Sequence, residues 1–271
     1  MGQDNKKYVG KLFTNKDLRL LIIPLIIEQF LAVMVGMSDT VMVSFAGEAA
    51  VSGVSLVDMV NNVLISLLAA LATGGAVIIS QFIGARKNED ACIAAAQLEL
   101  MTFTVSLIIT VFTVVFAHPL ISLLFGNIDN EVFDASKQYL IITAISFPML
   151  AIYNSGAAIY RSIGDAKTSM KVSILMNIIN VVGNAIGIFV LHLGVAGGAI
   201  PSVISRGVAA IAITVLASTN KNAIVYLKIK EIFKLRIDFM KRILYIGIPS
   251  GIENSLFQMG RVAVVSIISN F

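Results

Sequence analysis

LRLLIIPLIIEQFLAVMVGMSDTVMVS, residues 18–44, is apolar almost throughout, yet it carries Glu28 and Asp39 inside the run. A helix that crosses a bilayer takes about 20 apolar residues, so the segment is long enough to span a membrane. No small-residue cleavage site follows it, which marks a retained span and not a signal peptide. Similar segments recur at about 54–83, 94–117, 139–160, 170–191 and 199–218, and a seventh opens near 241. The 271 residues are 57% hydrophobic and only 13% charged, with a mean hydropathy of +0.89. A soluble domain carries roughly a quarter charged residues. This balance excludes a cytosolic α/β enzyme, a disordered tail and a secreted disulfide scaffold. The single cysteine, Cys92, leaves no internal disulfide and no cysteine-based metal site. The net charge of +4 is dispersed over loops between apolar runs, a pattern that does not suit nucleic acid. The reading is an all-α polytopic membrane protein, not an enzyme.

Lysine and arginine set the direction of the spans. Lys6, Lys7, Lys11, Lys16 and Arg19 precede span one, Arg86 and Lys87 follow span two, and Arg161, Lys167 and Lys171 follow span four. Lys221, Lys228, Lys230, Lys234, Arg236, Lys241 and Arg242 follow span six. Together these are 17 of the 20 basic residues, whereas the opposite side holds only Lys137. The expectation is a multi-pass protein of the cell membrane with a cytoplasmic N-terminus and the 118–137 loop outside. The basic 221–242 segment is expected to be a cytoplasmic, amphipathic linker at the anionic lipid surface.

A shift of 225 residues overlays Pro24 and Glu28 on Pro249 and Glu253, and Met34 on Met259. Both segments follow a basic stretch, so both start at the cytoplasm. A proline in the first turns of a span is tolerated because the early N–H groups lack helical partners. Repeats separated by six spans run parallel, as in several transporter folds. The expected division is a cytoplasmic N-terminus at 1–17, a six-span N-lobe at 18–218, a linker at 219–240, and the first helix of a second lobe at 241–271. The chain ends about 28 residues into its seventh apolar segment, and the repeat length predicts that about 180 residues of that lobe lie beyond it.

Ionisable groups within hydrocarbon cost about 2.5–3.5 kcal/mol each on insertion scales and are candidates for function. Eleven residues separate Glu28 from Asp39, close to three helical turns, so both share one face about 16 Å apart. Each is either a structural group bonded inside the bundle or a functional acid. In span five, Ser173, Asn177, Asn180 and Asn184 follow an i, i+4, i+7, i+11 stripe. The ladder is either glue between helices, with Gly183 and Gly187 allowing close packing, or the lining of a wet cavity that also includes a span-one carboxylate. In the second case the carboxylate accepts a proton or helps to hold Na⁺. Asp58, Asn61 and Asn62 form a further polar cluster near the outer start of span two, and Glu99 and Arg206 are candidate partners. His118 and His192 stand alone at span ends and make neither a zinc site nor a triad. Thr73-Gly74-Gly75 sits within a span, where close packing is its role.

Several segments, in order, resemble the N-terminal lobe of the MATE family, the multidrug and toxic-compound extrusion antiporters. Pro24, Asp39-Thr40 and Gly47-Glu48 are similar to the family's first span and outer loop, and Ser80-Gln81 with Gly84 to the end of its second. Arg161-Ser-Ile-Gly164-Asp165-Ala-Lys167-Thr168 resembles the loop between its fourth and fifth spans. Asn180 and Asn184 stand where the fifth-span amides belong, and Gly197-Gly-Ala-Ile-Pro-Ser202 is close to its sixth-span pattern. The resemblance implies a twelve-helix fold of two lobes that exchanges cationic amphipathic drugs for H⁺ or Na⁺, with no other cofactor. It implies that Asp39 is the coupling carboxylate and the only seat for a metal ion, Na⁺, with Asn180, Asn184 and Ser202 around it. Asn177 and Glu28 are further cavity candidates. Departures include Asn184 in place of an acid found in some members, and Phe257 where many carry a span-seven glutamate, leaving Glu253 and Gln258 as C-lobe candidates. The alternative is a lipid-linked oligosaccharide flippase of the related superfamily. That activity calls for several cavity cations, and only Arg206 and Arg261 lie within spans.

Overall fold

The computed structural model describes residues 15–126, 128–220 and 223–269. In lipid every backbone N–H and C=O must find a partner within its own segment, and the apolar runs accordingly form helices. These are α1 (Asn15–Ser44), α2 (Glu48–Gly84), α3 (Asn88–Val115), α4 (Ala117–Phe125), α5 (Asn130–Ile145), α6 (Phe147–Ser162), α7 (Ala166–Ala185), α8 (Val195–Thr219), α9 (Ile229–Ile232) and α10 (Ile237–Ser269). Among the described residues five helices are long and apolar enough to cross a membrane singly, and α5 with α6 makes a sixth span bent by 44°. The largest core cluster joins α2, α3, α6 and α8 around Leu98, Ile159 and Ile213. α1 packs mainly along α7, and α10 along α2.

The bend in span four has a local cause. Pro148 lacks the N–H that the Ala144 carbonyl would accept, and its ring crowds that carbonyl. Thr110 of α3 donates its hydroxyl to the Ala144 oxygen at 2.9 Å, and Ser146 closes the break by donating to the Thr143 carbonyl at 2.6 Å. Pro24 and Pro249 were expected in first turns. Both lie well inside helices, because α1 starts at Asn15 and α10 at Ile237. The expected outer loop is largely helical, with α4 continuing span three after a break at Phe116.

Turns at the end shared by the α2–α3 and α6–α7 connections follow capping chemistry. Gly164, at φ +85°, ends α6, and its neighbour Asp165 caps α7 by accepting from the Thr168 N–H at 3.2 Å and the Thr168 hydroxyl at 2.6 Å. After α2 the left-handed position falls on Arg86 (φ +58°), where Lys87 N–H reaches the Phe82 carbonyl at 2.9 Å. A side chain in that conformation costs roughly 1–2 kcal/mol relative to glycine. Arg86→Gly is therefore expected to raise the melting midpoint of the detergent-solubilised protein. An unchanged or lower midpoint would count against this turn geometry.

Part of the linker packs onto the bundle. Val225 and Leu227 are buried in the main core. Gln97 of α3, fully buried, donates to the carbonyls of Glu231 (2.9 Å) and Lys234 (2.8 Å) and accepts from the Arg236 N–H at 2.9 Å. Ile224, Ile229, Phe233 and Leu235 of the same segment stay exposed, so only part of its apolar surface is turned onto protein. Lys228 reaches Glu89 at 3.0 Å, and that carboxylate holds its ammonium above the usual lysine range.

Candidate ion and substrate site

Asp39 sits in the C-terminal half of α1, and Asn184 of α7 donates its amide to Asp39 Oδ1 at 2.7 Å. The same Asn184 amide lies 3.4 Å from Asn180 Oδ1. Asn180 in turn donates to Ser202 Oγ at 2.9 Å, and Ser202 donates to the Gly198 carbonyl at 3.3 Å. Three helices thus contribute one continuous chain from Asp39 to Ser202. Asn180 and Asn184 are buried, and Asp39 and Ser202 are partly so. The i, i+4 spacing of the two amides aligns them on one face. Gly183 of α7 lets α8 approach, since a Cβ there would lie 2.6 Å from Pro201 Cβ.

A second cluster stands nearby and was only partly visible in the sequence. Asp58 lies against Tyr139 and Asn61, with Arg206 as its neighbouring cation. Asn61 donates to Thr143 Oγ1 at 3.2 Å, and Arg206 Nη1 donates to Ser146 Oγ at 2.5 Å. The field of Arg206 also reaches Asp39. Arg206 and Glu99 are therefore not partners: Glu99, buried between α3 and α6, accepts from Ser155. Asn62 is exposed. Tyr139 and Ser146 gave no warning, because a tyrosine or serine in an apolar run reads as filler.

Glu28 is not joined directly to Asp39. Tyr153 of α6 donates to Glu28 Oε1 at 3.1 Å, and Arg161 Nη1 stands 3.8 Å from the same oxygen. Asn177 lies on the ladder face below Asn180, its Nδ2 buried and without a partner among the described residues. Glu253 is exposed on α10, and the side chain of Gln258 lies outside the described residues, as does that of Arg261. No group of three or more His, Cys, Asp or Glu residues is placed to hold a metal among the described residues. The oxygens of Asp39, Asn180, Asn184 and Ser202 suit a proton or a hard cation, which takes oxygen ligands. Asn184 Oδ1 is buried and uncommitted.

A family model described as MatE matches residues 24–186. The uncharacterized transporter YisQ of Bacillus subtilis is 32% identical over 250 residues, which cover 91% of this chain and 54% of the relative. A probable multidrug resistance protein, NorM of Thermotoga maritima, is 28% identical over 260 residues, 93% of this chain and 54% of its own. A solved outward-facing conformation of a multidrug resistance MATE family transporter of the MOP superfamily superposes with a TM-score of 0.77 at 26% identity, over 88% of this chain and 52% of that one. The chain spans about half the length of the relatives it matches.

Proposed function

Because the chain belongs to the MatE family, we propose that it supplies the ion-coupling lobe of an exporter that exchanges cationic, amphipathic drugs for H⁺ or Na⁺. The observation that carries this reading is the bond from Asn184 to Asp39, which places an intramembrane acid at the head of an amide ladder. A small cation from outside neutralises Asp39 and removes its attraction for a larger cation in the same cavity. Exchange follows if the two lobe arrangements differ in affinity for the two ions. Each charge moving inward down about 100 mV supplies roughly 2.3 kcal/mol, sufficient for a tens-fold drug gradient.

In this scheme residues 18–218 form the N-lobe, 219–240 the linker and 241–271 the first helix of the second lobe. The N-terminus is cytoplasmic, and the host is the cell membrane. Asn180 and Ser202 orient Asn184, and with Asp39 they supply the oxygens for the coupling ion. The second lobe completes the cavity wall. The protein performs no covalent chemistry and needs no cofactor beyond that ion.

The test is ethidium efflux by the full-length transporter in proteoliposomes under an imposed H⁺ or Na⁺ gradient. Asp39→Asn is expected to slow gradient-driven efflux by at least about tenfold, since it removes the charge on which the two cations compete. Efflux by Asp39→Asn at the wild-type rate would overturn the proposal.

A further inference from the structure

Arg206 stands at the middle of α8, a helix of 25 residues, where an unpaired charge is costly. It follows Ser202 by four residues, so it shares the face of α8 on which the chain of bonds from Asp39 ends. Asp58 lies 10 residues into α2 and Arg206 11 residues into α8. Both helices start after an odd-numbered span, so at about 1.5 Å per residue the two groups reach a similar depth. Asp58 is enclosed where α2 and α5 run side by side. Before it Ser136 donates to the Gly53 carbonyl at 3.4 Å, and after it Asn61 donates to Thr143 Oγ1 at 3.2 Å. Tyr139 lies against Asp58 between these two contacts.

If Arg206 served only as a structural ion-pair partner, a carboxylate should touch it, because a buried pair repays its desolvation only in close geometry. The ion pairs among the described residues join other groups, and Arg206 takes part in none. Its direct bond is to a neutral hydroxyl, Ser146 Oγ at 2.5 Å, at the bend of span four. Held there, its charge acts on Asp58, Asp39 and Tyr139 together, and the two acids act on each other. The ionisable groups of the pocket are thus Asp39 from α1, Asp58 from α2, Tyr139 from α5 and Arg206 from α8, whereas α7 faces Asp39 with amides. Two buried carboxamide oxygens, Asn61 Oδ1 beside Asp58 and Asn184 Oδ1 beside Asp39, have no partner among the described residues. The pocket has acceptors to spare and one tethered cation shared by two acids.

We infer that Arg206 is a built-in counter-charge of the ion site and Asp58 its second acid: with both carboxylates ionised, the pocket carries one net negative charge, enough to capture a single H⁺ or Na⁺ and small enough to release it. Without Arg206, two uncompensated acids would hold the cation too tightly to let it go. Without Asp58, the arginine charge would fall on Asp39 alone and repel the cation. The Ser146 hydroxyl prevents either extreme by keeping the guanidinium out of direct contact with both carboxylates. The inference rests on Asp39-coupled antiport and names what sets the affinity for its ion.

The experiment follows ethidium efflux by the full-length transporter in proteoliposomes as the driving cation is varied, with separate H⁺ and Na⁺ series to identify the ion. The readout is the half-saturating concentration of that cation. Asp58→Asn is expected to raise it about tenfold and Arg206→Met to lower it about tenfold, since a neighbouring charge alters the affinity of a carboxylate for a cation by about that factor. The double variant Asp58→Asn/Arg206→Met restores the net charge and should return to within about threefold of wild type. A merely structural pair would slow both single variants alike and leave the half-saturating value in place. Shifts of both single variants in one direction, or no shift in either, would overturn the inference. Should Arg206→Met alone fail to yield a monodisperse protein, Asp58→Asn and the double variant decide: no rise in the first, or no return in the second, would overturn it equally. Asp39→Asn in the same vesicles keeps the two readings apart. Loss of gradient-driven efflux there, with unshifted Asp58 and Arg206 variants, removes the counter-charge and leaves antiport standing, whereas wild-type efflux there removes both.

Discussion

Gly187→Ala is expected to lower the melting midpoint of the detergent-solubilised protein sharply, and Gly187→Leu to abolish the monodisperse species. Gly187, in the π-helical turn Ile186–Val190 that continues α7, opens onto α8 backbone against backbone. A Cβ there would lie 2.5 Å from the Gly197 carbonyl oxygen and 2.9 Å from Gly197 Cα. Those atoms cannot rotate away as a side-chain tip can, so α7 and α8 must separate by about 1 Å to reach ordinary contact distance. Overpacking of a tight interface costs about 1–3 kcal/mol, occasionally more, and a rigid neighbour puts Gly187 at the upper end. The contact is also built in from the other side. Pro201 has no N–H for the Gly197 carbonyl, which instead faces Gly187. Separation would stretch the 2.9 Å bond between Asn180 and Ser202, so transport should fall together with stability. Gly36, with nothing within 4 Å of its Cβ position, provides the comparison. Gly36→Ala should be neutral or stabilising by about 0.5–1 kcal/mol. Equal melting of Gly187→Ala and wild type would refute the close approach of the two helices.

Hydropathy makes the spans of such a chain readable, because the cost of polar groups in hydrocarbon is large and acts on every residue of a segment. Spacing along one helix is equally readable. The α7 stripe needed only the helical period to place Asn180 and Asn184 on one face, and the family resemblance directed attention to Asp39 and Ser202. Contacts between helices are another matter, since they depend on rotation and axial offset, which a period does not encode. Glu99 and Arg206 were natural partners by charge, yet Glu99 meets Ser155 and Arg206 meets Ser146. The bend before Pro148 depends on Thr110, which belongs to a different helix and takes up the orphaned Ala144 carbonyl. Gln97 shows the same limit: its amide lies in an apolar run, and its three partners are backbone groups far along the chain. In the α2 turn the sequence offers Gly84, but the left-handed conformation falls on Arg86.

The helices that carry the polar groups also suggest how a single ion could bias a large structure. Asp39 belongs to α1, which packs chiefly on α7, so its bond to Asn184 is a main polar fastening between α1 and the bundle. Glu28 provides the other, toward α6. Much of the apolar surface of α1 is exposed, as at Phe30 and Met37, although Met42 and Val43 near its end are packed into a core cluster with Ala50 and Val54. A helix held by two polar contacts at separate heights can shift when one of them is neutralised, and the tightly packed α7–α8 pair need not move with it.

Asn184→Leu is expected to reduce gradient-driven efflux by about 10–100-fold in the full-length transporter. A hydrogen bond to a charged group contributes about 1.5–3 kcal/mol, and each 1.4 kcal/mol corresponds to about a factor of ten. Leucine keeps the branched four-heavy-atom outline of asparagine, but its methyl groups are bulkier than the amide, so a melting measurement must accompany the efflux assay to separate overpacking between α1, α7 and α8 from loss of the bond. What is lost is the donor 2.7 Å from Asp39 and its link to Asn180. The substitution also removes the uncommitted Asn184 Oδ1, which returns part of the stability and keeps the variant folded. Asn180→Leu should have a smaller effect, about three- to tenfold, because its bond to Ser202 joins neutral groups worth about 0.5–1.5 kcal/mol. Ser202→Ala removes the last member of the chain and should be milder still. The gradation Asn184, Asn180, Ser202 is what a chain of bonds ending on one carboxylate requires. If the three variants lose equal activity, or if Ser202→Ala loses the most, Asp39 is not the group through which the ladder acts.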